Sequence, residues 1–327
     1  MGIYVKRNNV KGIDRQNRVV KFDPDAKHGK ITGSRFLAVL GKDEYMTEFK
    51  AACLIARVCF DDTRTKFTEA GDAIEPIMRS YVRENVDTLM KGILGTDGRL
   101  SVEEPISKEV CFYDHFRNDR IFGGMVDGYI NLDGERYAIL EIKTSGDRSK
   151  WYDENGNIIV PEGYHLQASL YAVLSNIERI VFAVAFLGDD DYVRPGSFVP
   201  ARDNTLVFAV DRKDISEEMA DARDWFARYI ESGKTPEWSD ADETLVDMIG
   251  TSDTIDDMPN EARRLFKKYI RMMDTDDVSD LEYNLKEIMS ERAADGVRTI
   301  VYRVDGVTFS LSMDDYSFTV IPDSIRN

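Results

Sequence analysis

The stretch GMVDGYINLDGERYAILEIKTSG, residues 124–146, decides the fold. It holds two runs with the alternating or continuous apolar pattern of strands. Asp133-Gly134 between them is a pair that favours a tight hairpin turn. Side chains two apart on a strand share a face, so Glu141 and Lys143 project together while Leu140 and Ile142 point the other way. The hairpin register can bring Asp127 of the first run beside them. Two carboxylates and an ammonium on one face of an apolar strand are costly to bury without partners. A divalent cation between the carboxylates offsets much of that cost. Oxygen ligands suit Mg²⁺, with Mn²⁺ able to substitute.

The flanking sequence predicts helices on either side of the hairpin. Thr68 to Asn85 reads as a long amphipathic helix, with Ala73, Ile77, Tyr81 and Val82 at helical spacing and Pro76 inside it. Glu75 on this helix is the third acid. After the hairpin, Tyr164 to Asn176 reads as a helix. Gln167 and Tyr171, four apart, share one of its faces and offer an amide and a phenol to a phosphate. Arg179 to Leu187 is a strand apolar enough to be buried on both faces. Leu206 to Val210 is a further strand, and Ser216 to Ser232 a helix ending at Gly233. Upstream, helices are expected over about 32–41, capped by Thr32 or Ser34, and over about 47–59. A strand is expected over Glu109 to Tyr113 and another over Ile121 to Leu132.

The fold class is therefore α/β. Four regions are expected: a basic, irregular or edge-strand-like N-terminal segment (1–30), the chemical core (31–238), an acidic linker (239–259) and a C-terminal appendage (260–327). The appendage reads as two helices, about 260–273 and 276–294. Short strands near 298–304, 307–312 and 316–321 follow, with Asp305-Gly306 as a turn.

Composition removes several function classes. The chain has 327 residues, 43% of them hydrophobic, which excludes disorder of the whole. Its longest apolar run, Ile180 to Leu187, is far short of the ~20 residues a bilayer requires, so no membrane role is expected. The N-terminus has neither a secretory signal nor the myristoylation pattern. Three cysteines without a CxxC spacing fit a reducing cytosol, so a cytoplasmic location is expected. His115 and His165 have no Cys or His partners at ligand spacing. The net charge of -17 argues against nucleic acid when taken alone, but its distribution qualifies this. Residues 1–35 hold nine bases and three acids, whereas residues 239–257 hold seven acids and no base.

Taken in order, Glu75, Asp127, Glu141-Ile142-Lys143 and Gln167-xxx-Tyr171 resemble the PD-(D/E)XK nuclease superfamily. More narrowly, the chain is similar to the YqaJ-type viral recombinase exonucleases, the group that includes lambda exonuclease. ITGSRFLAVLG (31–41) resembles the ITxS helix start of that group, and EAGDAIEPIM (69–78) its G-x-x-x-E-P helix. Trp151, Val160-Pro161 and Tyr164-x-x-Gln167 resemble the loop leading into its glutamine helix. The resemblance covers about residues 30–238. The usual Pro-Asp of the motif is Val126-Asp127 here.

The resemblance implies a restriction-endonuclease-like core, a central mixed sheet flanked by helices. It implies that Asp127 and Glu141 ligate Mg²⁺ with the Ile142 carbonyl, and that Glu75 binds metal directly or through water. Lys143 would orient or deprotonate the attacking water, and Gln167 and Tyr171 would steady the site or the DNA backbone. Ser34 is either a simple cap or a contact for a terminal phosphate. Lys27, rather than His28, is the nearest match to a basic residue that handles a 5′-phosphate in lambda exonuclease. The activity implied is an ATP-independent exonuclease of phage or prophage type, acting 5′ to 3′ on linear duplex DNA. It would leave a 3′ single strand for an annealing or single-strand-binding protein, from a homo-oligomer such as a trimeric ring. No Walker-type G-x-x-x-x-G-K-[ST] occurs, in agreement with the absence of an ATP motor. Two alternatives stay open: a single-strand exonuclease or endonuclease of the same superfamily, and a non-catalytic DNA- or protein-binding member.

Overall fold

In the computed structural model the described residues are 3–6, 9–111, 113–253, 260–272, 278–291, 297–304 and 307–322. They form two compact units. One comprises Lys30–Met46 and Asp62–Asp224, the other Ile3–Gly29, Thr47–Asp61 and Trp225–Asn327.

The first unit is built on a five-stranded mixed sheet. Its strands are β1 (Leu100–Glu103), β2 (Gly128–Leu132), β3 (Glu135–Ser145), β4 (Arg179–Phe186) and β5 (Thr205–Asp211), in the order β5-β4-β3-β2-β1. β1, β2 and β3 pair antiparallel, β3 and β4 parallel, and β4 and β5 antiparallel. The β2–β3 turn carries Asp133 and Gly134 at φ of 53° and 95°, the left-handed conformation that an Asp-Gly pair tolerates best.

Four helices are labelled here: α1 (Gly33–Val39), α2 (Lys66–Glu84), α3 (Glu162–Ser175) and α4 (Ser216–Trp225). α2 starts at a capping box, in which Thr65 Oγ1 accepts the Thr68 N–H at 3.2 Å and the Thr65 N–H returns to Thr68 Oγ1 at 2.9 Å. α2 lays Ala70, Ile74, Met78 and Val82, spaced by four, on one face of the sheet against Ala138, Leu140 and Ile142 of β3. α3 puts Ala168, Tyr171 and Ala172 on the opposite face, against Ile139 of β3 and Phe182 and Val184 of β4. This is the mixed sheet flanked by helices that the sequence led us to expect. Burial of β4 on both faces explains its unbroken apolar run.

Local expectations differ from the structure at three places. In the expected strand Glu109 to Tyr113, the chain over Lys108–Cys111 is instead a short helix. The run Ile121 to Leu132 breaks into Phe122–Gly123, which pairs with Ile31–Thr32, and β2. Asp127 therefore lies on the turn just before β2. The expected Ser216–Ser232 helix runs to Ile230, but its last part, Phe226–Ile230, is a π-helix, and Gly233 at φ 74° follows it.

The second unit takes residues that the sequence assigns to the nuclease core. Helix Glu48–Ile55 packs Phe49 against Trp238, with ring centroids 5.9 Å apart, and Glu48 Oε2 accepts the Trp225 indole N–H at 2.9 Å. Residues 239–253 are no open linker either. Helix Glu243–Gly250 buries Leu245, Val246 and Ile249, and Asp242 is buried ahead of it. At the N-terminus, Val10–Asp14 and Val19–Phe22 form a hairpin. The C-terminal part is a four-stranded sheet, Thr251–Asp253, Thr299–Val304, Val307–Ser312 and Phe318–Pro322 in that order. Helices Asn260–Met272 and Ser279–Glu291 pack on it. The expected Asp305-Gly306 turn lies outside the described residues. No helix among the described residues is long and apolar enough to cross a membrane.

Candidate active site

The strand period settles which side chains of β3 meet. Leu140 and Ile142 enter the core beneath α2, so Glu141 and Lys143 must face α3. Glu141 is 1% exposed. Its Oε1 accepts the Lys143 ammonium at 2.6 Å and the Gln167 amide at 3.0 Å. Its Oε2 is buried with no hydrogen-bond partner. Lys143 Nζ also lies 5.1 Å from the centre of the Tyr164 ring, and Trp151 stacks behind that ring at 5.6 Å. Trp151 is fully buried and acts as a packing anchor for its loop.

Asp127 joins from the turn before β2. Its Oδ2 accepts the Ile142 N–H at 2.7 Å, so the residue between Glu141 and Lys143 anchors the second carboxylate through its backbone. Burial pushes the Asp127 carboxyl up to about 8. The Glu141 carboxylate adds to this, while Lys143 and the Ile142 N–H oppose it. For Lys143, burial pulls the ammonium down, but the Glu141 and Asp127 carboxylates outweigh it and hold the group above the ordinary lysine range.

Tyr171 is buried, 4% exposed, beside this group. Its hydroxyl accepts the Gly33 N–H at 3.2 Å and so ties α1 to α3, and its ring stacks on Phe116 at 5.8 Å. Burial, reinforced by Glu141, holds the phenol above its usual value. Two glycines make room for it. A Cβ on Gly33 would lie 2.6 Å from Gln167 Cγ and 2.7 Å from Tyr171 Cζ. A Cβ on Gly124, at φ 130°, would lie 2.6 Å from the Tyr171 oxygen. Ser34, the next residue on α1, is exposed, and its hydroxyl lies 3.0 Å from Thr32 Oγ1.

Glu75 on α2 is near enough for its charge to push the Asp127 carboxyl up further. It is ion-paired to Arg79, whose Nε donates to the Asp127 carbonyl at 2.7 Å. Arg79 thus ties the third acid to the backbone of the second, and sequence reading missed it. The i,i+4 spacing of Glu75 and Arg79 was the available signal, but it is also the commonest pattern of a solvated helix pair. Asp114 and His115 were likewise missed as supports. Asp114 Oδ1 accepts the Phe116 N–H at 3.0 Å and the Gly124 N–H at 3.3 Å, and its Oδ2 pairs with Lys30 at 2.6 Å. His115 Nδ1 accepts the Val126 N–H at 3.2 Å. Together they fix the turn that delivers Asp127.

The structure therefore brings Asp127, Glu141, Ile142, Lys143 and Gln167 together, and sets Glu75 at their edge through Arg79. Lys27 lies exposed in the second unit. Among the described residues, no three His, Cys, Asp or Glu side chains converge tightly enough to hold a metal ion by themselves. Two carboxylates do meet, one with an orphaned buried oxygen. That fits a hard cation held by one or two carboxylates and completed by water or substrate oxygens, the usual habit of Mg²⁺.

No family model matches the chain. It is 32% identical to "Uncharacterized protein MG373" of Mycoplasma genitalium, over 65% of this chain and 85% of that protein, and equally to the homolog in Mycoplasma pneumoniae. Solved structures similar to it include the alkaline exonuclease LHK-Exo from Laribacter hongkongensis, at 17% identity and a TM-score of 0.40, covering 63% of this chain and 90% of that one. A phage related exonuclease from Haemophilus somnus matches at 12% identity and a TM-score of 0.41, covering 63% and 95%.

Proposed function

The chain belongs to the family of the mycoplasma protein MG373, and we propose that it is a metal-dependent deoxyribonuclease that hydrolyses phosphodiester bonds. The observation that carries this is the orphaned Oε2 of Glu141 beside Asp127. A buried carboxylate oxygen without a donor costs about 1–3 kcal/mol and persists where something else is to occupy it. The motif order read from the sequence, with its resemblance to the YqaJ-type exonucleases, supports the same reading.

Asp127 and Glu141 would hold Mg²⁺ or Mn²⁺, with the Ile142 carbonyl as a third oxygen and Glu75 at the margin. The cation, when bound, supplies positive charge to the developing phosphorane oxygens and lowers the pKa of a water. The protein's own residues do the rest. Lys143 keeps a positive charge at Glu141 Oε1, within reach of a water approaching the phosphorus. Gln167 fixes the Glu141 carboxylate from the other side, leaving Oε2 as its free oxygen. Arg79 and the Ile142 N–H hold Asp127 at backbone and side chain. Ser34, exposed on α1 next to the Gly33 tether, is the candidate contact for a strand end. The substrate we infer is linear duplex DNA cut 5′ to 3′, with the product strand passed to an annealing or single-strand-binding protein and a homo-oligomeric ring as the working form.

The test is a digest of linear duplex labelled at one 5′ end, with Mg²⁺, with EDTA and with Glu141→Ala, on phosphorylated and unphosphorylated ends. Mononucleotide release that needs metal and Glu141 is the expected result. An intact label on duplex, single-stranded and nicked DNA under every metal would overturn the reading.

A further inference from the structure

The sequence places its basic surface at the N-terminus, and the fold pairs four of the bases there with acids. Lys11 pairs with Asp23 at 3.4 Å, Lys21 with Asp14 at 3.5 Å, Arg15 with Asp247 at 3.7 Å and Arg18 with Asp240 at 2.7 Å. The acidic run 239–257 thus supplies partners for two of these bases.

Helix Asn260–Met272 is the opposite case. Its thirteen residues, NEARRLFKKYIRM, carry five bases and one acid in a chain of net charge -17. Phe266 and Tyr269 are buried against Phe309, with ring centroids 4.8 and 5.7 Å away, which fixes how the helix sits on its sheet. Arg264, Lys268 and Arg271, at spacings of four and three, are exposed on the side away from that contact. Among the described residues no ion pair engages these three. The neighbouring helix Ser279–Glu291 has four acids and a single base, Lys286, which pairs with Glu282 at 3.0 Å. The positive stripe is therefore rigidly mounted and confined to one helix. It spans about 10 Å at 1.5 Å per residue, the length over which one DNA strand presents about three phosphates.

We propose that Arg264, Lys268 and Arg271 form a contact for the phosphate backbone of duplex DNA. The choice of DNA as the polyanion rests on the nuclease reading above. The contact is electrostatic and indifferent to sequence, and it gives an acidic protein a local positive field, since local potential and not net charge governs approach. The C-terminal appendage then becomes a substrate-holding element.

The experiment uses the full chain in EDTA, so that binding is read without hydrolysis. Fluorescence anisotropy on a labelled duplex is followed from 50 to 200 mM KCl. The triple variant Arg264→Gln/Lys268→Gln/Arg271→Gln should lower the slope of log affinity against log salt by about 0.9 per cation, close to 3 in all. Its affinity at 100 mM should fall at least tenfold. A variant with the same change in net charge, Lys42→Gln/Arg64→Gln/Lys91→Gln, takes bases already paired with Glu218, Asp72 and Asp87 and should move the slope by less than one. Equal slopes for wild type and the stripe variant, or an equal loss in the control, would overturn the proposal. A larger effect on a single-stranded oligonucleotide than on duplex would overturn the duplex assignment. Metal-dependent hydrolysis with no slope difference sinks the stripe and leaves the nuclease standing. A slope difference without hydrolysis does the reverse.

Discussion

Glu141 in the sheet unit and Asp242 in the other are both buried carboxylates, 1% and 5% exposed. Asp242 is satisfied on both oxygens. Thr47 Oγ1 donates to Oδ1 at 2.6 Å, and the Ser239 N–H and hydroxyl donate to Oδ2 at 2.9 and 2.7 Å. Glu141 has two donors on Oε1 and none on Oε2. Asp242 lies where a helix start meets a capping turn, and its bonds close that junction. Glu141 lies on a sheet face between Asp127 and a lysine, and its geometry stays incomplete. Burial does not distinguish the two acids; the oxygen left over on Glu141 does.

The largest test of this contrast is Glu141→Gln. Hydrolysis per folded molecule should fall by on the order of 10³-fold or more, as when an electrostatic group at a reacting centre is removed, and the melting temperature should fall as well because the buried Lys143 ammonium loses a partner charge. A variant that keeps more than a tenth of the rate would remove Glu141 from the chemistry. Asp242→Ala should affect stability alone. It strands the Thr47 hydroxyl and the Ser239 N–H and should cost about 3 kcal/mol in urea unfolding, with the rate per folded molecule unchanged.

Arg79→Met sharpens the comparison from the edge of the site. It frees Glu75 and loosens the Asp127 backbone. Mg²⁺ affinity, measured by calorimetry, should weaken about ten- to a hundredfold, as for a group that orients a metal ligand. An unchanged affinity would make Arg79 a plain helix-pair residue. The smallest effect is thermal. Saturating Mg²⁺ should raise the melting temperature of wild type by a few degrees, as binding at about 100 times Kd contributes about 2.7 kcal/mol. The same addition should do nothing for Glu141→Gln, and a matching rise there would place the cation elsewhere.

Much of the site was legible because its residues are local in pattern. The alternation of β3 put Glu141 and Lys143 on one face, and helical spacing put Gln167 four residues before Tyr171. The sequence did not show that the Tyr171 hydroxyl accepts the Gly33 N–H, 138 residues away. It also read residues 239–253 as a linker, since acids without apolar runs look solvated. The donors that bury Asp242 include Thr47, 195 positions upstream. The same distance hid the ion pair in which Arg18 meets Asp240 across 222 positions.

The strand that carries Glu141 and Lys143 is the middle one of five, paired with β4 over 138–145 but with β2 only up to Leu140. Where both neighbours cover it, its amides meet solvent only when the sheet opens, so residues 138–140 should set the slow limit of hydrogen–deuterium exchange in their unit. Fraying from an edge strand would leave the two charged groups where they are. Ageing or heating should therefore thin the population of competent molecules without making any of them slower, and preparations of different age should differ in titre alone.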